Sequence, residues 1–302
     1  MDVIFMGTPE YAQKILEGLL ADREINVVAV YTQPDKPVGR KKIMTPPPVK
    51  ELALEHNIDV YQPFRLRDEV VVKELLQTPC DYIVVAAYGQ ILPKPILEYA
   101  PCINLHASIL PQYRGASPIQ QTLLNGDTQT GVTAMLMEEG LDTGDILTIK
   151  YQDVSSTMML EELFDVLTEC ARELTPEVLH NYTSYKPLKQ NEAEASLCKK
   201  ITKADGEVDF DNALDIYNKY RAFTPWPGIY LASGLKLKKI ALEDKTSKNT
   251  AGEILSIEKD SIVIGCRYGS LRIYTLQAPS KNEVDALAYI NGKRLDIADS
   301  IL

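Results

Sequence analysis

Asn104-Leu105-His106 sets two polar side chains two residues apart inside an apolar run. Ile103–His106 reads as a β-strand, and strand side chains alternate, so Asn104 and His106 share one face. The stretch from Ala107 to Pro118 is rich in Gly, Pro and Ser and reads as a loop directly after that strand. Asp142 lies in Gly140-Leu141-Asp142-Thr143-Gly144-Asp145, where a turn between two strands can bring its carboxylate beside His106. These groups suit attack by an amine on a carbonyl. Asn104 and His106 supply N–H donors for the oxyanion of the tetrahedral intermediate. A protonated His106 donates best, and an adjacent carboxylate favours that form. Asp142 orients His106 and takes the amine's proton, directly or through water. No nucleophilic side chain is needed, because the substrate brings its own. The plainer alternative is a hydrogen-bonded core histidine beside a turn-forming aspartate, and the residues alone leave both open.

The elements that must position these groups alternate between strand and helix. Strands are expected at Val3–Met6, Val27–Tyr31, Val60–Tyr61, Tyr82–Ala87, Ile103–His106, Val132–Met137 and Ile146–Tyr151. Helices are expected at Pro9–Leu20, Val49–His56, Asp68–Gln77, Ile119–Leu124 and Leu160–His180. Pro9 suits a first helical turn and Thr8 a cap. Near-continuous apolar strands between helices predict a mostly parallel, Rossmann-like sheet covered on both faces. Such sheets bind ligands beyond the carboxyl ends of their strands, where Gly7-Thr8-Pro9 and Tyr88-Gly89 fall. The G-x-G-x-x-G fingerprint is absent after the first strand, which speaks against a dinucleotide cofactor.

A length of 302 residues suits two domains. Residues 1–185 form the expected catalytic domain, 186–205 a polar, lysine-containing linker, and 206–302 a second domain. In the last, a helix at Ala213–Ala222 precedes short strands at Tyr230–Leu231, Lys236–Leu242, Gly252–Ile257, Ser261–Gly265 and Leu271–Thr275, then a helix at Val284–Asn291. Five short strands suggest a small barrel.

Net charge is −10, which by itself argues against a nucleic-acid partner. Its distribution reverses that argument. Residues 1–185 hold 14 basic against 26 acidic side chains, a net of −12, while 206–302 balance 13 against 13 and 186–203 carry five lysines against two glutamates. The acid sits in the first domain. Arg40, Lys41 and Lys42 lie in a loop stiffened by Pro34 and Pro37, where they can neutralise phosphates or simply remain a solvated charge run. Trp226 and Tyr230 can stack on bases, but barrel core is the preferred reading. Cys80, Cys102, Cys170, Cys198 and Cys266 are scattered and odd in number, and with three histidines they argue against a disulfide scaffold and for no metal site. No basic stretch precedes Asp2-Val3-Ile4-Phe5, and no apolar run reaches the roughly 18–20 residues of a membrane span. A cytoplasmic location, no membrane and a monomer are therefore expected.

Asn104-Leu105-His106, then Ser108-Ile109-Leu110-Pro111-x-Tyr113-Arg114-Gly115-Ala116, and Leu141-Asp142-Thr143-Gly144 downstream, resemble the formyltransferase family that uses 10-formyltetrahydrofolate. Three further stretches resemble the branch of that family acting on methionyl initiator tRNA. They are Gln33-Pro34-Asp35-Lys36-Pro37-Val38-Gly39-Arg40-Lys41-Lys42 with Pro46 to Lys50, Lys200 to Phe210, and Arg221-Ala222-Phe223-Thr224-Pro225-Trp226-Pro227-Gly228. Lys41 stands where that branch usually has glycine, and Phe210 where it usually has tryptophan.

The resemblance implies that Asn104, His106 and Asp142 are the catalytic trio. It implies that Ser108, Ile109, Leu110 and Pro111 contact the folate, and that Ala86, Tyr88, Gly89, Ile91 and Leu92 form its pterin pocket. Arg40, Lys41 and Lys42 would enter the tRNA acceptor arm, and Tyr11, near the mouth, would touch the methionine side chain. The second domain would be an OB-type, tRNA-binding barrel. Arg114 would face a phosphate or the folate glutamate, or else form a salt bridge within its loop. Formylation of an amino sugar nucleotide or another small amine is the alternative, since the same trio would serve it.

Overall fold

The computed structural model describes every residue except Arg40. Two compact units divide the chain: residues 1–118, 129–154 and 163–198 form the first, and 119–128, 155–162 and 199–302 the second.

The first unit is an α/β layer structure. In chain order it holds β1 (Asp2–Gly7), α1 (Glu10–Ala21), β2 (Asn26–Tyr31), β3 (Lys36–Val38), β4 (Ile43–Thr45), α2 (Pro48–Glu55), β5 (Val60–Tyr61), α3 (Glu69–Leu75), β6 (Tyr82–Ala86), α4 (Lys94–Leu97), β7 (Cys102–His106) and β8 (Arg114–Gly115). After α5 (Pro118–Asn125) come β9 (Gln129–Leu136), β10 (Ile146–Asp153), α6 (Leu160–His180) and β11 (Leu197–Cys198). The main sheet runs β5-β2-β1-β6-β7-β9-β10. The first five strands are parallel, and β9 and β10 add an antiparallel edge. Val3, Ile4, Phe5 and Met6 are all 0% exposed, because β1 is central and covered on both faces. The chain leaves β1 toward β2 and β5, then returns on the other side to β6 and β7. The point where strand order reverses therefore lies between the carboxyl ends of β1 and β6, with Gly7 opposite Ala86.

Two long helices secure this layer. The buried face of α1 carries Tyr11, Ala12, Ile15, Leu16, Gly18 and Leu19 at helical spacing. A Cβ on Gly18 would fall 2.7 Å from the Arg172 carbonyl oxygen of α6. Pro176, inside α6, has no N–H to offer that carbonyl four residues back. The kink-prone position thus coincides with a close approach of the neighbouring helix. The expected helix over Leu160–His180 runs through this proline unbroken. The short hairpin β3–β4 and the single turn α4 have no buried periodicity, which is why the pattern of the sequence did not reveal them.

The second unit centres on an antiparallel sheet. It contains α5, α7 (Ala213–Phe223), β12 (Ile229–Tyr230), β13 (Lys236–Asp244), β14 (Ile254–Ile257), β15 (Ile262–Gly265), β16 (Ser270–Gln277), β17 (Glu283–Asp285) and α8 (Ala286–Lys293). Strand order is β12-β13-β16-β15-β14, with β17 also on β16. Asn212 caps α7 by accepting from the Leu214 and Asp215 N–H groups, worth about 1 kcal/mol. Arg221, 3% exposed, bonds the carbonyls of Leu123, Ser155 and Met158 and the Asn218 side chain. This one guanidinium ties the two excursions, 119–128 and 155–162, to α7. Trp226 corrects an expectation: it is 59% exposed, not core. It sits in the turn between α7 and β12, and Phe210 and Phe223 fill the interior instead. Tyr230 is half-buried with its hydroxyl on the Lys203 carbonyl. Among the described residues no helix is long and apolar enough to cross a membrane.

Candidate active site

β7 carries Asn104 and His106 to its carboxyl end, paired with Met135 and Thr133 of β9. Both are buried, at 9% and 6% exposure. The loop from β9 to β10 returns Asp142 to the same place. Asp142 Oδ1 lies 3.4 Å from Asn104 Nδ2, and Oδ2 lies 3.7 Å from His106 Nδ1. Oδ2 also accepts the Gly115 N–H at 2.8 Å. On its other side the imidazole meets the Tyr113 carbonyl, with Nε2 at 2.9 Å. A carbonyl only accepts, so Nε2 bears a hydrogen and Nδ1 is the nitrogen turned toward Asp142. Three expected residues therefore converge, with one carboxylate next to both N–H-bearing side chains. The arrangement has donors for a developing negative charge and a base for a proton.

The loop after β7 is held from within. Ser108 is fully buried, and its hydroxyl donates to the Gln112 carbonyl at 2.6 Å. Thr133 donates to the Ser108 carbonyl at 2.6 Å and accepts from the Leu110 N–H at 3.1 Å. Leu110 packs with Met135 and Ile146. Ser108 and Leu110 thus support the loop, while Ile109 and Pro111 are its half-buried members. Around the end of β6, Ala86, Tyr88 and Leu92 are buried, whereas Gly89 is exposed and Ile91 is 83% exposed. The Tyr88 carbonyl accepts from Thr8 and Gln33, tying the ends of β1, β2 and β6 together.

Two expectations are corrected. Tyr11 is not at a mouth. It belongs to the buried stripe of α1, is 6% exposed, and donates its hydroxyl to the Leu105 carbonyl at 3.2 Å. Burial pushes its phenol well above the usual tyrosine range. Arg114 faces no open phosphate or folate glutamate: it forms a bidentate pair with Glu192, at 3.0 and 2.7 Å, far along the chain rather than within its own loop.

Lys41 and Lys42 are exposed in the turn between β3 and β4, and Lys42 has a φ of 48°. Arg40 falls outside the described residues. Val38, Ile43 and Met44 are also exposed on this hairpin, at 56, 62 and 60%. Its base is clasped. Lys50 Nζ meets both Asp35 oxygens at 2.9 Å and Gln62 Oε1 at 2.8 Å, while Gln62 Nε2 donates to the Gln33 carbonyl and Asp35. The Gln62 amide and then the Lys50 ammonium hold the Asp35 carboxyl below its ordinary range. This clasp was not foreseen, because its members are separated in sequence and each resembles an ordinary surface residue.

Residues 186–198, expected to be linker, run as a strap along the loop that contains Arg114. β11 pairs with β8, Ile146 bridges Leu188, and Ser196 Oγ accepts the Tyr113 N–H at 2.9 Å. All five cysteines are free thiols. Among the described residues no group of three or more His, Cys, Asp or Glu could hold a metal ion.

Residues 1–179 match the family described as "Formyl transferase", and residues 200–294 match "Formyl transferase, C-terminal domain". The chain is 65% identical over 301 residues to a methionyl-tRNA formyltransferase of Sulfurimonas denitrificans, covering 100% of both chains. It is 54% identical to that of Nitratiruptor sp., covering 99% of each. Among solved structures, a sugar 3N-formyl transferase determined with dTDP and 5-N-formyl-THF shares the fold, with a TM-score of 0.67 at 18% identity over 93% of this chain and 99% of that one. The chain therefore belongs to the formyl transferase family, and within it to the methionyl-tRNA formyltransferases.

Proposed function

We propose that this enzyme transfers the formyl group of 10-formyltetrahydrofolate to the α-amino group of methionyl initiator tRNA, giving N-formylmethionyl-tRNA for translation initiation. The observation that carries the chemistry is the single carboxylate of Asp142 beside both Asn104 and His106. The full-length identity to methionyl-tRNA formyltransferases carries the acceptor.

The folate supplies an activated formyl carbon. Its fit is supported by the strand-order reversal between the carboxyl ends of β1 and β6, where sheets of this kind take ligands. Gly89 lies there in open space, since a Cβ on it would meet only Gln33 Nε2 at 3.8 Å. Ile91 offers exposed apolar surface suited to a flat ring system; Ala86, Tyr88 and Leu92 are buried at the same strand end, and Ile109 and Pro111 are half-buried in the loop after β7. Ser108 and Leu110 act by shaping the loop. Asn104 Nδ2 donates to the oxygen that gains charge, and His106 joins it through Nδ1 once that nitrogen is protonated, because the Tyr113 carbonyl holds the Nε2 hydrogen. As the amine nitrogen bonds to the formyl carbon, Asp142 takes its proton and hands it to His106 Nδ1, which delivers it to the folate nitrogen when that nitrogen's bond to the formyl carbon breaks. Arg40, Lys41 and Lys42 contact the acceptor-arm phosphates. Residues 206–302 act as an OB-type tRNA-binding barrel, 1–185 carry out the chemistry, and 186–205 join them. The enzyme works as a cytoplasmic monomer.

The deciding assay offers charged initiator tRNA and amino sugar nucleotides side by side with 10-formyltetrahydrofolate. Formylation of the charged tRNA alone is expected. Preferred turnover of a sugar amine would overturn the acceptor. The sugar reading keeps one support, the fold shared with a sugar 3N-formyl transferase at 18% identity, set against 65% identity to a methionyl-tRNA formyltransferase. Arg40→Ala should weaken use of charged tRNA, and an unchanged kcat/KM would remove the loop from the substrate contact.

A further inference from the structure

Gln190 lies outside the trio, in the strap, yet it reaches the same loop as Asp142. Its Nε2 donates to the Asp142 carbonyl at 2.8 Å and to the Gly144 carbonyl at 2.7 Å. Its Oε1 accepts from Arg114 Nε at 3.0 Å. Both amide hydrogens are thus spent on the turn, and Arg114 fixes which way the amide faces, because a flipped amide would set N–H against N–H. Arg114 is 4% exposed, and its Nη1 and Nη2 each donate to one carboxylate oxygen of Glu192.

The turn needs such holding. Asp142 has a φ of 53°, in the left-handed region that a residue with a side chain keeps only when its surroundings hold it there. A Cβ on Gly144 would collide with the Leu136 carbonyl oxygen at 1.7 Å, so the loop has little room to relax locally. Gly115, next to Arg114, donates its N–H to Asp142 Oδ2. The two residues of β8 therefore fix Asp142 twice. Gly115 holds its side chain directly, and Arg114 holds its backbone through Gln190.

We infer that Gln190 is a positioning residue: through its two hydrogen bonds to the Asp142–Gly144 turn it sets the direction of the Asp142 carboxylate between Asn104 and His106. The inference rests on the role given to Asp142 above. A displaced carboxylate would still leave the folate crevice and the basic hairpin intact, so the loss should appear in kcat rather than in binding.

The experiment compares wild type, Gln190→Met, Asp142→Asn and the double variant in the full chain. Methionine keeps the length and fills the space without hydrogen bonding. Gln190→Met should lower kcat by about tenfold to a hundredfold, the scale of a small misplacement at a reacting group. KM for charged tRNA and for 10-formyltetrahydrofolate should not move, and the Tm, lowered by the lost hydrogen bonds, should stay above the assay temperature. In the Asp142→Asn background, Gln190→Met should add no further loss, because the group it orients is gone. Arg114→Lys, which cannot fork to Glu192 while holding Gln190, should reproduce the kcat loss if Gln190→Met proves poorly folded. Wild-type kcat in the folded variants, or losses that add to that of Asp142→Asn, would overturn the inference. Wild-type activity of Asp142→Asn itself would instead overturn the reading of the site, and the two failures are distinguishable.

Discussion

Asp142 Oδ2 stands 3.7 Å from His106 Nδ1, too far for a direct hydrogen bond and close enough for an ion pair or a bridging atom. Asp142→Asn keeps an oxygen for the Gly115 N–H but removes the base. We expect kcat for formylation to fall by about 10²–10⁴-fold, the usual range for a positioned acid–base group. Single-turnover formylation at saturating folate and charged tRNA reads this directly. A loss under about tenfold would put the base elsewhere.

The clasp of Lys50 on Asp35 and Gln62 orients the basic hairpin without touching the reacting groups. Lys50→Met should reduce kcat/KM for charged tRNA by about tenfold, the equivalent of one charged hydrogen bond. KM for the folate should stay as in wild type. Equal effects on both substrates would mean that the hairpin base also shapes the folate crevice.

Close approach of α1 to α6 leaves no space for a methyl group at position 18, where the built Cβ lies 2.7 Å from the Arg172 carbonyl. Gly18→Ala should destabilise the first unit by about 1–3 kcal/mol through overpacking, despite alanine's better helix propensity. Urea unfolding followed by circular dichroism would test it. A stabilised variant would show that the helices separate at little cost.

Asp205 closes a capping box with Thr202 and pairs with Lys199 at 2.7 Å. The Lys199 ammonium first, then Thr202, hold its carboxyl at about 2 against an ordinary value of 3.8. A depressed carboxyl contributes stability that is complete above 3.8 and is lost as pH falls from there toward about 2. Asp205→Asn should cost about 0.5–2 kcal/mol at neutral pH, as lost caps do. The gap from wild type should narrow below pH 3.8. A gap that stays constant across that window in denaturant titrations would rule out this linkage.

Much of the layer structure was legible in the sequence for a physical reason. Central strands such as Val3–Met6 are buried on both faces and so carry unbroken apolar runs, and α1 and α6 carry long buried stripes at helical spacing. The hairpin β3–β4 was missed as an element because Val38, Ile43 and Met44 are exposed and leave no alternation. Trp226 was misjudged because apolar character alone does not say whether a residue lies in a sheet or in the turn beside it.

Residue type and local spacing determined that Asn104 and His106 share a face of one strand, and that a turn aspartate could meet them. These are short-range facts, set by the two-residue repeat of a strand and by turn chemistry. Tertiary structure alone decided what surrounds them. It sent Tyr11 into the core and paired Arg114 with Glu192 across 78 residues of chain. It also brought Gln190 from a strap of unremarkable polar composition onto the backbone of Asp142. Such contacts depend on where distant segments cross, and no local pattern records a crossing.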